Sequence, residues 1–176
     1  MAKEYYKKFD KKYPITDKKF QRILMFYLFE CPTPATSVRA KTFSQLGWNG
    51  KSQFSNLKKR LLKSSTESLR KHYYPCKKEE LSDKFQLVSS VTPVEEYCVF
   101  LKHDEKTVMQ SLFSAIRNSF AHGSFSIQSY KDENGNNVKI YFFCNYNEYL
   151  KAEIVLQEQT LLNWIDIIKS GYNPNE

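Results

Sequence analysis

The sequence has few of the residues that build a metal site or a disulfide framework. Its 176 residues include four cysteines and three histidines, and no two cysteines form a Cys-x-x-Cys pair. This spacing argues against a structural zinc site, and neither a metal nor a cofactor is expected. The cysteines stand far apart, mostly in apolar segments, which favours reduced, buried thiols over disulfides. They are Cys31, Cys76, Cys98 and Cys144.

Glycine, proline and long apolar runs are also scarce. Five glycines and six prolines, set against 41% hydrophobic and 15% aromatic residues, predict a folded chain and exclude a disordered or linker-dominated one. The longest apolar run, residues 23–29, is too short to span a bilayer, and the charged opening lacks the apolar stretch of a leader. We therefore expect one cytoplasmic domain over residues 1–176, with residues 1–15 as a basic tail.

Positive charge is concentrated in the first half of the chain. Residues 1–80 carry 19 basic and 7 acidic side chains, whereas residues 81–176 carry 8 and 12. Such a surface attracts a polyanion, although a solvated lysine-rich surface without a partner explains the charge equally well. The candidate RNA-binding residues lie on one predicted helix. They are Lys58, Lys59, Arg60 and Lys63.

Helical periodicity predicts four helices before residue 124. The first begins at Asp17, and the second bears the apolar residues of the segment 54–62. The third begins at the Thr92-Pro93-Val94-Glu95 box and carries Tyr97, Cys98 and Leu101. The fourth is capped by Asp104 and is stopped by Gly123.

Beyond Gly123 the period of the apolar residues changes to two. Residues 125–129 and 138–143 read as a hairpin around the turn 132–136, and residues 153–156 as a third strand. Residues 161–168 form a last helix that is closed by Gly171. These elements predict a mainly α fold, a helical bundle with a small antiparallel hairpin or three-stranded sheet after the fourth helix.

The fourth helix ends in the one cluster that suggests chemistry: Arg117, Asn118 and His122. Histidine titrates near neutral pH and transfers protons, and the arginine fork stabilises charge on a phosphate. Five residues of ideal helix separate Arg117 from His122 by about 140° around the axis. Either the helix ends at Ala121, or two chains share the site across a twofold axis.

The segment IRNSFAHGSF resembles the signature of the HEPN superfamily, an arginine, a polar residue and a histidine four to six residues after the arginine. This resemblance covers about ten residues. It implies a HEPN-like helical bundle and a homodimer with a composite active site. It also implies metal-independent RNA cleavage that leaves 2′,3′-cyclic phosphate and 5′-hydroxyl ends. Arg117, Asn118 and His122 would then be catalytic, in a toxin with an antitoxin partner or in a phage-defence effector.

Two other functions stay open on the sequence. The first is a non-catalytic RNA-binding or dimerisation module, because some members of the superfamily lack activity. The second is a DNA-binding regulator that inserts the helix over residues 54–63 into the major groove. No helix-turn-helix spacing surrounds that segment. His72 and His103 lie in polar surroundings that favour surface roles.

Overall fold

The computed structural model describes residues 14–33, 40–132 and 134–173, which form a five-stranded mixed sheet flanked by helices. The strand order is β1-β2-β5-β4-β3, with β1 parallel to β2 and every other pair antiparallel. The strands are β1 (Tyr73–Cys76), β2 (Tyr97–Leu101), β3 (Phe125–Lys131), β4 (Asn137–Asn147) and β5 (Tyr149–Gln157). Most of the predicted basic tail, residues 1–13, lies outside the described residues.

Helices cover both faces of this sheet. They are α1 (Lys18–Met25), α2 (Gly50–Lys63), α3 (Glu67–Lys71), α4 (Leu81–Val88), α5 (Val108–Ala121) and α6 (Glu158–Ser170). A π-helical turn, Phe26–Glu30, continues α1, and short 3₁₀ turns form at Ser44–Leu46 and Lys78–Glu80. Within the described ranges, no helix combines the length and apolar character that crossing a membrane requires.

Several predicted elements are confirmed. Helix α1 begins after Asp17, whose carboxylate accepts hydrogen bonds from the backbone N–H groups of Lys19 and Phe20. Helix α2, the hairpin β3–β4, strand β5 and helix α6 all form where the periodicity places them. The four cysteines are free and buried. Local patterning therefore accounts for most of the chain beyond residue 108.

The predicted mainly α bundle is wrong, because five strands form one mixed sheet and the fold is α/β. The error begins at β2, which the sequence presents as a third helix. Cys98, Val99 and Phe100 are fully buried, in the interior of the sheet. A strand covered on both faces has a continuous apolar run with no period of two, so periodicity does not separate it from a buried helix.

The residues Thr92 to Glu95, which predict the start of a helix, form a turn before β2 instead. The Glu95 carboxylate accepts hydrogen bonds from the Thr92 N–H at 3.0 Å and from the Thr92 hydroxyl at 2.9 Å. The Glu95 N–H donates to the Thr92 carbonyl at 3.0 Å. The bond from the Thr92 N–H to the glutamate, one of the two bonds of a capping box, therefore forms without a helix after it. Strand β1 was missed as well, because it has four residues and contains Pro75, which suits an edge strand.

Two hydrophobic clusters lie on opposite faces of the sheet. The larger one joins the sheet to α1, α2, α5 and α6, and includes Trp48, Phe113 and Trp164. The smaller one packs Leu81 and Val88 of α4 against the other face. Helix α5 contacts β2, β5 and β4 and the π-helical turn. The helix that carries the candidate site is thus a core element of the fold.

Candidate active site at the end of helix α5

Helix α5 begins at a capping box that the sequence analysis did not use. The Thr107 hydroxyl accepts a hydrogen bond from the Gln110 N–H at 3.1 Å, and the Gln110 side chain accepts one from the Thr107 N–H at 2.9 Å. The predicted cap at Asp104 is wrong, because a turn in which the Lys106 N–H donates to the His103 carbonyl precedes the helix. Residues 102–106 therefore form a loop.

This loop is fastened to α5 by two serines one turn apart. The Ser111 hydroxyl accepts a hydrogen bond from the His103 N–H at 3.2 Å, and Lys106 Nζ lies 3.3 Å from Ser114 Oγ. Both serines are buried. The loop thus lies against the face of α5 that would otherwise be open to solvent.

Most of α5 is buried, and its polar end is the exception. Nine of its fourteen residues are buried, whereas Arg117 and Asn118 are half-buried and Ala121 is exposed. Phe120 anchors this end, with ring centroids 4.7 Å from Phe125 and 5.0 Å from Phe143. The candidate residues therefore project from a rigid support, although Arg117 and Asn118 reach solvent less fully than the helical wheel predicts.

The helix ends at Ala121, as one of the two interpretations of the angular spacing requires. The Ser124 N–H donates to the Ser119 carbonyl at 2.8 Å, and the Gly123 N–H donates to the Phe120 carbonyl at 3.2 Å. This pair of bonds is the Schellman motif, which needs a left-handed residue after the cap, and Gly123 has φ +62°. His122 is the cap residue, outside the helical repeat.

Replacing Gly123 tests whether a left-handed residue closes helix α5. We expect Gly123→Ala to lower the free energy of unfolding by about 1 kcal/mol, because a left-handed backbone strains an L side chain. No atom lies within 4 Å of the added Cβ, so the strain is conformational and not steric. Gly123→Asn should lose less, because asparagine tolerates this conformation. Urea unfolding gives the free energy of unfolding of wild type, Gly123→Ala and Gly123→Asn. Equal values for all three would contradict a left-handed backbone at Gly123.

The structure brings Arg117 and Asn118 together and places His122 beside them along the chain. Arg117 Nη1 donates a hydrogen bond to Asn118 Oδ1 at 3.2 Å, so the amide orients one side of the guanidinium. The Asn118 carbonyl accepts from the His122 N–H at 3.0 Å. His122 is exposed, so a bound molecule can reach its imidazole. One short segment thus offers a guanidinium, an amide and an imidazole.

The cysteines do not supply an alternative nucleophile. Burial raises the pKa of the Cys31 and Cys98 thiols, and it raises the pKa of Cys76 and of Cys144 to about 11. A thiol reacts as its thiolate, and these four remain protonated at neutral pH. In the part of the chain that the structure describes, no group of three or more His, Cys, Asp or Glu residues could hold a metal ion.

The predicted RNA-binding residues of α2 do not form one open surface. Lys58 Nζ lies 5.2 Å from the centroid of the Tyr73 ring. The Arg60 guanidinium lies 5.6 Å from the Trp48 ring, and its Nη1 is 3.5 Å from the Gly171 carbonyl. Both side chains are half-buried, and only Lys59 and Lys63 are exposed. Half of this set therefore packs against the fold.

Comparison with known proteins identifies no relative, since no family model, no curated protein and no solved structure matches this chain. The site is therefore described by its own chemistry. It is a polar helix end on an α/β fold, with a half-buried guanidinium–amide pair and an exposed imidazole. Groups of this kind suit a phosphate ester, since they supply a fixed positive charge and a proton-transfer group.

Proposed function

We propose that this protein is an endoribonuclease that cuts RNA without a metal ion at the end of helix α5. The observation that carries the proposal is the arrangement of Arg117, Asn118 and His122, three polar residues at the solvent end of a buried helix. The reaction is attack of a ribose 2′-hydroxyl on the adjacent phosphorus, with release of the 5′-oxygen. The products carry 2′,3′-cyclic phosphate and 5′-hydroxyl ends.

Each residue has a distinct task in this reaction. The Arg117 guanidinium binds the phosphate oxygens and stabilises the additional negative charge at phosphorus. The Asn118 amide orients that guanidinium through their 3.2 Å hydrogen bond. His122 carries a proton to or from the reacting oxygens, and in this proposal it protonates the departing 5′-oxygen.

The proposal includes a homodimer with two sites, each of which takes Arg117 from one copy and His122 from the other across a twofold axis through the ends of α5. Biologically, such an enzyme would act as a toxin held by an antitoxin or as a phage-defence effector, because uncontrolled RNA cutting harms the cell.

The alternative is a non-catalytic RNA-binding or dimerisation module. It is favoured by the half-burial of Arg117 and Asn118 and by their hydrogen bond to each other, since a structural pair would have the same features. The two functions differ in whether the RNA chain is broken.

The test is incubation of the purified protein with single-stranded RNA in excess EDTA. We expect the RNA to be cut at a rate that added magnesium does not change, and we expect 2′-O-methyl RNA of the same sequence to stay intact. Intact RNA under all conditions supports the binding module. Cutting that EDTA abolishes, or cutting of the 2′-O-methyl strand, would rule out the proposed chemistry.

A further inference from the structure

Three lysines from separate parts of the chain lie on the side of the fold from which helix α5 begins. The lysines concerned are Lys78 after β1, Lys106 in the loop before α5, and Lys151 in β5. In the described residues, none of the three has a carboxylate oxygen within 4 Å of its ammonium nitrogen, whereas Lys71, Lys139 and Lys169 do. No carboxylate of the described residues therefore neutralises these three charges at contact distance.

Two of these lysines are held by the same aromatic ring. Lys78 Nζ lies 4.7 Å from the centroid of the Tyr149 ring, and Lys151 Nζ lies 5.3 Å from it. The negative face of a tyrosine ring attracts an ammonium group. Contact with Tyr149 therefore keeps two positive charges close to one point of the surface, despite their mutual repulsion.

The charge continues from Lys151 to the loop before α5. Ala152 pairs with Phe100 of β2, so Lys151 lies beside the end of β2, where the loop over residues 102–106 begins. In agreement, burial and then the positive charges of Lys106 and Lys151 hold the pKa of His103 below its ordinary value. Asp104 acts in the opposite direction but more weakly, and Glu105 of the same loop is exposed. The lysines thus outweigh the nearest acidic group at this position.

The last step leads along α5 to the candidate active site. Lys106 Nζ lies 3.3 Å from Ser114 Oγ. Ser114 precedes Arg117 by three residues and Asn118 by four, and residues at these spacings are neighbours on one helix face. Lys106 therefore contacts α5 about one helical turn before the residue whose guanidinium we assign to the reacting phosphate.

We propose that Lys78, Lys151 and Lys106 form a phosphate-binding track that leads single-stranded RNA to Arg117, Asn118 and His122. This inference rests on the proposed function and adds the path of the substrate. An RNA strand carries a phosphate at every nucleotide, and each lysine contact displaces a counterion. The lysines would therefore bind the phosphates of the backbone, which every RNA sequence carries.

The experiment measures binding in the His122→Ala protein, so that cutting does not interfere. Fluorescence anisotropy with a labelled single-stranded RNA gives Kd over a series of salt concentrations. We expect Lys78→Gln/Lys151→Gln to raise Kd roughly three- to tenfold. The slope of log K against log salt should fall by about 1.4, or about 0.7 for each cation on a single strand. The matched control Lys18→Gln/Lys131→Gln removes two exposed lysines elsewhere and should leave the slope unchanged.

Three results would overturn the track: no RNA binding by the parent protein, equal effects of the two double variants, or a larger loss in Lys59→Gln/Lys63→Gln on α2. Cutting by the wild-type protein is scored separately. Binding that depends on the track with no cutting rejects the nuclease and retains the track as an RNA-binding surface. Cutting with no dependence on these lysines retains the nuclease and rejects the track.

Discussion

If the protein is the proposed ribonuclease, His122→Ala and Arg117→Ala are each expected to slow RNA cutting about a thousandfold or more. Loss of a positioned proton-transfer group costs a factor of about a hundred to ten thousand, and loss of a charge that stabilises the transition state costs a similar factor. Neither change should unfold the protein, because His122 is exposed and Arg117 is half-buried at the end of a helix that other residues anchor. The measurement is the rate of RNA cutting in EDTA by each variant, compared with the wild-type rate.

His72→Ala is the matched control for the histidine. His72 Nδ1 lies 3.3 Å from Ser68 Oγ at the end of α3, and it belongs to neither the site nor the track. We expect this variant to cut at the wild-type rate. Full activity in His122→Ala, or an equal loss in His72→Ala, would show that the end of α5 is not the active site.

Mixing the two inactive variants tests whether the site is shared between two copies. A mixed dimer contains one intact Arg117 and one intact His122 on opposite chains. If the site is composite in this way, random exchange should restore about a quarter of the wild-type rate, since half of the dimers are mixed and each has one intact site. No restoration after exchange would place both residues in the site of one chain.

Glu96→Ala is expected to lower the free energy of unfolding by about 3 kcal/mol, the largest effect on stability that we predict outside the apolar core. Glu96 is fully buried and links three elements. It accepts hydrogen bonds from the Thr66 hydroxyl at 2.6 Å and from the Gln157 N–H at 2.7 Å. Removing it leaves these half-buried donors without their partner at the start of both α3 and α6.

The same carboxyl group gives a dependence on pH with a definite sign. Burial raises the pKa of Glu96 above its ordinary 4.5, although hydrogen bonds from Thr66, Gln157 and Thr160 oppose the shift. A raised pKa in the folded state means that the contribution to stability is complete below 4.5 and is lost as the pH rises through the folded-state pKa. Wild type should therefore gain stability relative to Glu96→Gln as the pH falls.

Urea unfolding of wild type, Glu96→Ala and Glu96→Gln at about pH 7 and about pH 5 measures both effects. Glu96→Gln is the matched control, because it keeps the size of the side chain and one accepting oxygen. The comparison with wild type also cancels the titration of other carboxyl groups, including Glu153, whose pKa is also raised by burial. A constant difference between wild type and Glu96→Gln would contradict the burial of a charged Glu96.

The sequence predicts the end of helix α5 better than it predicts the sheet. The end of α5 follows from Gly123, because a glycine after an amphipathic helix marks the cap, and this places His122 outside the helical repeat. Strand β2 could not be predicted from its pattern, because its burial on both faces erases the alternation that marks a strand. The start of α5 was available from Thr107 and Gln110, but Asp104 offered a competing cap.

The proposed lysine track could not be predicted from sequence patterns, because its residues come together only in the folded chain. Tyr149 meets Lys78 only because the chain folds β1, β2 and β5 into one sheet, so their contact depends on tertiary structure. The sequence instead drew attention to α2, where lysines and arginine are adjacent in the chain. Lys58 and Arg60 there lie against Tyr73 and Trp48. Basic residues that are adjacent in the sequence therefore do not all share one open surface of the folded protein.

The identity of the RNA ends made in EDTA tests the account most directly. Mass spectrometry of the fragments should show 2′,3′-cyclic phosphate on one side of each cut and 5′-hydroxyl on the other, because the 2′-oxygen is the nucleophile. The same fragments should be absent with Arg117→Ala or His122→Ala. Fragments with 5′-phosphate ends, or identical fragments from the His122→Ala protein, would contradict the assignment of Arg117, Asn118 and His122 as the catalytic residues.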